Sequence, residues 1–412
     1  MKVLLCSINS KYVHSSLAVW YLYESAKKSC PDNLFIDILE GTINQPPADL
    51  TEKIIQSRAD IIAFSCYIWN ISMVHSLIGS IKAALPSVRI LLGGPEVSYL
   101  PRELIESNKN IDFIITGEGE APFPLLLSAL FEKADISGIP GLCYKDEENI
   151  RLNPPAPPYT DPPGPYSKKY LSAFCGRIAY LETSRGCHFS CAFCLSGLSG
   201  AGVRSFSIDR AKQDIVFLAN AGVQTVKLVD RTFNCNPGRA YELFSFIIQE
   251  AGHLIPPGIC FHFEVAADLF DETTIALLSS APPGLIQMEA GIQTFNAYAL
   301  SAVVRKTNIL KLESNIRKIA AAGNIHLHTD LIAGLPHEDL LSFARSFDRA
   351  YALGAHMLQL GFLKMLKGSD LRRRAQDLGY IYSPQPPYEI ICNPWLSKSD
   401  LCRLSQTEYA LN

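Results

Sequence analysis

Twice along its 412 residues the chain alternates short apolar runs with helix-like stretches, and that rhythm leaves few folds open to it. In the first pass, strands are predicted over residues 2–8, 35–39, 61–65, 89–92 and 113–116, with helical patterns over 17–28, 50–57, 74–84 and 122–131. Strands this short and this uniformly apolar must be covered on both faces. A helix between successive strands supplies the crossover that parallel pairing needs. A doubly wound α/β parallel sheet is therefore expected over residues 1–135, and such sheets bind ligands beyond the carboxyl ends of their strands.

The rhythm breaks at Asn153-Pro154-Pro155-Ala156-Pro157-Pro158-Tyr159 and Asp161-Pro162-Pro163-Gly164-Pro165-Tyr166. Proline at this density excludes helix and central strand and favours an extended chain. Residues 136–170 are expected to be a proline-rich linker, stiff and short enough to suit two domains held face to face. From residue 171 to 370 the alternation resumes with a barrel-like spacing, with strands at 178–182, 225–229, 260–265, 286–291, 326–332 and 357–362. Residues 371–412 are too few for another large domain and are expected to cap the second one.

Composition narrows the class. An apolar share of 48% with a net charge of −3 describes a folded chain with large cores. No basic stretch stands out, so the charge balance supports no nucleic-acid surface. The opening nine residues hold too short an apolar run for a signal peptide, and no run is long enough to cross a bilayer. A cytoplasmic location without a membrane partner is expected. Twelve cysteines fit a reducing compartment and metal ligation better than a secreted disulfide scaffold.

Three of those cysteines stand together in Glu182-Thr183-Ser184-Arg185-Gly186-Cys187-His188-Phe189-Ser190-Cys191-Ala192-Phe193-Cys194, just after a predicted strand. The C-x3-C-x2-C spacing puts three thiolates on one short loop. Thiolates are the ligands that iron–sulfur clusters prefer, and three of them leave one iron open for chemistry. With Phe193 as its aromatic, the loop resembles the C-x3-C-x-Φ-C signature of radical S-adenosylmethionine (radical SAM) enzymes. That resemblance implies a partial (β/α)6 radical SAM barrel over residues 171–370. It also implies a 4Fe–4S cluster on Cys187, Cys191 and Cys194, with S-adenosylmethionine on the open iron.

Barrels of this kind keep their chemistry at the carboxyl ends of the strands. The resemblance nominates Phe193, Asp230, Glu264, Gln293 and Gly334 as contacts to S-adenosylmethionine. Many family members carry Gly-Gly-Glu after the second strand to grip the methionine amino group. This chain reads Val229-Asp230-Arg231-Thr232, so Asp230 or its backbone is the substitute, an acidic partner for an ammonium. Glu264 near the third strand's mouth reads equally as a solvated strand end. Glu289-Ala290-Gly291-Ile292-Gln293-Thr294 resembles the E-x-G-x-Q-S/T segment of related subfamilies, which nominates Gln293 for the ribose or methionine part. Asp330-Leu331-Ile332-Ala333-Gly334-Leu335-Pro336 is similar to the family's D-L-I-x-G-L-P segment beside adenine, where a glycine permits close approach.

In front of such a barrel, the Rossmann-like sheet resembles the cobalamin-binding domain that precedes many radical SAM enzymes. Its strand ends nominate Asn9, Ser65, Tyr67, Gly93, Gly94, Glu96, Gly117 and Glu118 as cobalamin contacts. Glycines there would let a bulky ligand approach the backbone, and the helix after Gly119 offers free N–H groups. The D-x-H-x-x-G motif that supplies a histidine to cobalt is missing. The chain reads Asn9-Ser10-Lys11-Tyr12-Val13-His14, with His14 at a different spacing, so the lower ligand of cobalt stays open.

Cluster, S-adenosylmethionine and cobalamin together imply a cobalamin-dependent radical SAM C-methyltransferase acting on an unactivated sp3 carbon through a 5′-deoxyadenosyl radical. A flavodoxin or ferredoxin is the implied reductant, and the substrate is a small molecule or a peptide or protein. A methylthiotransferase with a second cluster on Cys6, Cys30 and Cys66 shares the layout. So does a cobalamin-dependent radical enzyme that forms or rearranges rings without net methylation. A non-enzymatic sensor using the cluster as a switch is the remaining reading.

Overall fold

A computed structural model describes residues 1–31, 33–147, 149–173, 176–198, 200 and 202–411. The chain divides into two compact units, Met1–Arg177 and Ile178–Asn412. The first unit is built on strands β1 (Lys2–Asn9), β2 (Phe35–Thr42), β3 (Ile61–Ser65), β4 (Arg89–Gly93) and β5 (Phe113–Ile115). Helices α1 (Leu17–Ser29), α2 (Pro47–Gln56), α3 (Ile71–Ala84) and α4 (Pro101–Ser107) are the crossovers, and α5 (Pro122–Glu132) follows β5. The five strands are parallel in the order β2-β1-β3-β4-β5. Their order reverses between β1 and β3, which opens a crevice at those carboxyl ends. This is the doubly wound, Rossmann-like sheet expected from the sequence. The pattern missed α4, whose seven residues make barely two turns and show little periodicity.

The expected linker differs from the structure at its start. Within residues 136–170, β6 (Leu142–Asp146) and β7 (Asn149–Leu152) form an antiparallel hairpin that extends the sheet beside β5. Leu142, Cys143 and Tyr144 are buried there, so these residues belong to the sheet's core rather than to a solvated connector. The proline stretch also lies against the first unit. Gly141 N–H donates to Pro154 O at 2.7 Å, Asn153 Nδ2 to Ile139 O at 2.7 Å, and Tyr159 N–H to the Glu118 carboxylate at 2.9 Å. Helix α6 (Lys168–Ser172) closes the unit, with Lys169 paired to Asp37 at 3.0 Å.

The second unit holds six parallel strands in the order β15-β14-β13-β12-β11-β8, a partial (β/α)6 barrel. They are β8 (Ala179–Leu181), β11 (Thr225–Leu228), β12 (Cys260–Val265), β13 (Ile286–Gln293), β14 (His326–Ala333) and β15 (Met357–Phe362). The intervening helices are α7 (Ile208–Ala219), α8 (Pro237–Gln249), α9 (Glu272–Ser279), α10 (Ala297–Ala302), α11 (Ile309–Ala322) and α12 (Leu340–Tyr351). Along β13, buried and half-buried residues alternate strictly: Ile286, Met288, Ala290 and Ile292 face the helices, while Gln287, Glu289, Gly291 and Gln293 face the barrel interior. Two residues of β9 (Ser184–Arg185) pair antiparallel with two of β10 (Arg204–Ser205), which staples the base of the loop between them. The final part of the chain holds α13 (Asp370–Arg373), a pair β16 (Ile381–Tyr382) and β17 (Ile390–Cys392), and α14 (Lys398–Leu411). Among the described residues no helix is long and apolar enough to cross a membrane.

A buried ion pair fixes the end of the first unit. Arg177 donates to Glu40 at 2.5 Å, with both side chains nearly out of solvent, and also to the carbonyls of Tyr12 and His14. Glu40 accepts in addition from Asn9 Nδ2 at 2.9 Å and Trp20 Nε1 at 3.0 Å. Removing one partner of such a pair strands a buried charge and costs about 3–5 kcal/mol. Arg177→Met is therefore expected to lower the stability of this unit by about that amount in urea unfolding followed by circular dichroism. Adding Glu40→Gln to it should recover most of the loss.

Candidate functional site

The cysteine loop leaves the end of β8 and runs from Gly186 to Val203 between the two strands that staple its base. Two of its glycines, Gly186 and Gly197, are dictated by the chain's own backbone. A Cβ at Gly186 would lie 2.3 Å from Gly202 O, and one at Gly197 would lie 2.1 Å from Phe189 O. Ala192 anchors the middle of the loop, its N–H donating to Val303 O at 2.9 Å and its carbonyl accepting from Leu371 N–H at 2.8 Å. Cys191 and Cys194 are joined by a tight turn, Cys194 N–H to Cys191 O at 3.0 Å. Phe193 lies half-buried within that turn.

Each of the three sulfurs faces a hydrogen-bond donor. Cys187 Sγ accepts from Phe189 N–H at 3.5 Å, with Thr232 Oγ1 also 3.5 Å away. Cys194 Sγ accepts from Ser196 N–H at 3.4 Å, and Cys191 Sγ from Arg305 Nη1 at 3.8 Å. Burial pushes the Cys191 thiol up, and the Arg305 guanidinium pulls it back toward the thiolate. A donor on every sulfur is what thiolate ligands of an iron–sulfur cluster require, so the loop fits such a cluster. Among the described residues no three His, Cys, Asp or Glu side chains are grouped to share one metal ion. In a cluster each thiolate takes its own iron, so its ligands stand farther apart than those of a single ion.

Beside the loop, the end of β13 makes an irregular turn. The pairing register with β14 shifts between Gly291 and Gln293, and Gln293 sits at φ +71°. A non-glycine residue held in this region costs about 1–3 kcal/mol and persists only where its surroundings enforce it. Gly291 supplies the room: a Cβ there would lie 2.2 Å from Gln293 Nε2, so the glutamine side chain folds back over the strand. A fully buried carboxyl locks the same turn, as Glu338 accepts from the hydroxyls of Thr294 and Ser346. Burial raises Glu338 to about 7. Gln293 is thus brought to the cysteine side of the barrel through Arg305, which holds Gly291 O at 2.9 Å with Nη2.

Three of the nominated contacts are occupied by the chain itself. Asp230 is buried, and its carboxylate accepts from Thr183 N–H at 2.9 Å, Thr183 Oγ1 at 2.7 Å and the Ser184 hydroxyl. It braces the exit of β8 against that of β11, and these bonds engage both of its carboxylate oxygens. Gly334, expected to admit adenine, sits at φ +99° with Ile390 Cδ1 2.0 Å from where its Cβ would be. Its carbonyl accepts from Tyr380 Oη at 2.8 Å and Asn393 Nδ2 at 3.0 Å. The glycine there admits the chain's own carboxyl-terminal segment. Glu264 is turned into the barrel, 3.6 Å from Arg231 Nη1 and 4.0 Å from Lys227 Nζ.

Around Glu264 lies a polar network that the sequence did not single out. Glu289 is held by His262 Nε2 at 3.2 Å and Lys227 Nζ at 3.4 Å, which pull its pKa down to about 2. Asp330, on the neighbouring strand at the level of Gly291, is the exception. Its Oδ1 is buried without a hydrogen-bond partner among the described residues. Burial, then the charges of Glu289 and Glu264, raise it to about 7. Asp330 stood within the quoted D-L-I-x-G-L-P segment, and the period of two along β14 would have turned it inward.

In the first unit the nominated residues line the carboxyl ends of β1, β3, β4 and β5. Ser65, Gly93 and Ile115 are register partners across three strands. Several are engaged locally. Asn9 donates to His14 O and Glu40 and accepts from Ser7, while Glu118 holds Tyr159 N–H. Gly94 sits at φ +108°, and a Cβ there would lie 2.5 Å from Cys66 O, so the neighbouring strand end explains it. Glu96 is buried behind that contact. Gly117, at φ +75°, has open space where a Cβ would be, which leaves its backbone approachable. Tyr67 stacks on half-exposed Trp69 with centroids 4.4 Å apart and planes 5° from parallel, a flat aromatic face at the β1/β3 crevice. Trp69 was not among the residues nominated, although it lies two positions beyond Tyr67.

The fold and this loop define a two-part class. Residues 5–127 match the family model of the B12 binding domain and residues 181–350 that of the Radical SAM superfamily. The chain is a B12 binding domain followed by a radical SAM domain. Residues 376–412 match a family described as Protein of unknown function (DUF4080). The chain is 28% identical over 338 residues to the cobalamin-dependent radical SAM methyltransferase TokK of Streptomyces tokunonensis, covering 77% of this chain and 49% of that protein. It is 27% identical to the 2-(S-pantetheinyl)-carbapenam-3-carboxylate methyltransferase of Streptantibioticus cattleyicolor, over 76% of this chain and 48% of that one. The chain thus spans about half the length of these curated relatives. The solved structure of the radical S-adenosylmethionine methyltransferase TsrM from Kitasatospora setae, with cobalamin and a 4Fe–4S cluster bound, shares the fold. Its TM-score is 0.79 at 16% identity, over 100% of this chain and 91% of that one.

Asp330 yields a pH-dependent prediction. Its pKa rises on folding, so the folded state loses stability as pH climbs from the unfolded value of about 4 toward about 7. Asp330→Asn removes that penalty. Its apparent Tm is expected to exceed wild type by about 4 °C or more at pH 8 and to match it near pH 4, in parallel thermal melts.

Proposed function

We propose that this chain is a cobalamin-dependent radical SAM methyltransferase that methylates an unactivated sp3 carbon. The observation that carries the reading is the donor on each sulfur of Cys187, Cys191 and Cys194, on a loop at the exit of the first barrel strand. When bound, the cluster with S-adenosylmethionine supplies hydrogen abstraction from carbon, and cobalamin supplies the methyl group.

The chain's own residues bind and orient these groups. Cys187, Cys191 and Cys194 would hold the cluster, and Ala192 fixes their loop through its two backbone hydrogen bonds. Gln293, kept at φ +71° by the buried Glu338 network, presents its amide to S-adenosylmethionine. In the first unit, Tyr67 and Trp69 offer a flat apolar face, and Gly117 offers an approachable backbone, to a corrin. Cys6 and Cys66 are buried in the core of that sheet, and Cys30 Sγ contacts Pro124 O and Ser128. Their packing favours one cluster over the two that a methylthiotransferase would carry. The reading calls for a small-molecule or peptide substrate, a flavodoxin- or ferredoxin-type electron donor and a cytoplasmic setting.

Anaerobic reconstitution with iron, sulfide and hydroxocobalamin tests it. About four irons per chain and a corrinoid absorbance are expected, while Cys187→Ala/Cys191→Ala/Cys194→Ala keeps the corrinoid and loses the iron. With reductant, S-adenosylmethionine and substrate, 5′-deoxyadenosine and S-adenosylhomocysteine should accumulate together. Deoxyadenosine alone would instead indicate ring formation or rearrangement. About eight irons per chain would indicate a second cluster.

A further inference from the structure

The three sulfurs of the cysteine loop are not treated alike. Cys187 and Cys194 receive neutral backbone N–H groups, whereas Cys191, only 6% exposed, receives a guanidinium. The sulfur most removed from water is the one given a full positive charge. That charge cannot wander. Arg305 Nη2 is bound to Gly291 O at 2.9 Å, its Cζ lies 5.1 Å from the centre of the Phe189 ring, and Val303, two residues before it, carries the carbonyl that anchors Ala192. Arg305 is therefore clamped between the loop and β13, with one N–H aimed at a sulfur.

We propose that Arg305 sets the reduction potential of the cluster through Cys191. The proposal rests on reading Cys187, Cys191 and Cys194 as cluster ligands. Reduction adds one electron, taken from a low-potential one-electron donor, and no proton or bond change accompanies it. The assembly of cluster and thiolates becomes more negative by one charge. A fixed cation within hydrogen-bond reach of a ligand sulfur stabilises the reduced form more than the oxidised one, and so raises the potential. The effect is large here because Cys191 is shielded from solvent and a guanidinium stays charged at every accessible pH.

The test is an EPR-monitored redox titration of the reconstituted protein without S-adenosylmethionine. Arg305→Gln is expected to make reduction about tenfold less favourable, a drop of about 59 mV for a one-electron couple. Arg305→Lys, which keeps the charge, should recover most of it. An unchanged potential in Arg305→Gln overturns the proposal, as does a drop in Arg305→Lys equal to that in Arg305→Gln. Weaker binding of S-adenosylmethionine at an unchanged potential would assign the guanidinium to the cosubstrate instead and overturn it too. If Arg305→Gln takes up no iron, Arg305→Met is titrated in its place with the same expected drop, and an unchanged potential there overturns the proposal. If Arg305→Gln and Arg305→Lys both take up none, the fork geometry alone matters and it falls. Wild-type protein that takes up no iron would refute the reading of the cysteines themselves, a result distinct from all of these.

Discussion

A parallel ladder of backbone hydrogen bonds governs both units. It gives the chain no short way back, so each return crosses a face of the sheet as a helix and both faces become dry. The five first strands of the amino-terminal sheet and all six of the barrel obey this rule. Its consequence is positional. Every strand delivers its carboxyl end to one rim, and backbone free of helix and ladder is available chiefly there. The cysteine loop, the Gln293 turn, Gly334 and the Tyr67–Trp69 pair all occur at such ends.

That same rule explains what the sequence made legible. The strands were readable because a buried parallel strand needs several apolar residues in a row, and Ile61–Ser65 advertises itself locally. The cysteine trio was readable because its three ligands fall within eight residues. The hairpin over Leu142–Asp146 and Asn149–Leu152 was not, since proline-rich neighbours masked two short strands whose burial depends on β5. Nor were partners separated widely along the chain. Arg305 lies 114 residues from Cys191, and Tyr380 and Asn393 lie 46 and 59 residues from Gly334. No local spacing announces such pairs.

A second distinction is drawn by what each polar group already holds. Asp230 and Asn9 looked available at strand ends, yet both are buried and engaged by several hydrogen bonds from the chain, because a buried polar group left unmet is costly. Residue type at a strand end therefore tells which groups could reach a ligand, not which remain uncommitted. Asp330 Oδ1 and Arg305 Nε are buried without partners among the described residues, and they sit on the interior side where β13 and β14 meet and beside the cysteine loop. Their unmet capacity marks the mouth of the barrel more sharply than the nominated carboxylates did.

The filling of the Gly334 niche bears on the order in which this molecule is made. Tyr380, Ile390 and Asn393 emerge from the ribosome after all six barrel strands, and domains fold as their residues appear. Until then the Gly334 carbonyl has only water for a partner, and the hollow that Ile390 fills stands open. The strand scaffold can form early, but its mouth sets late.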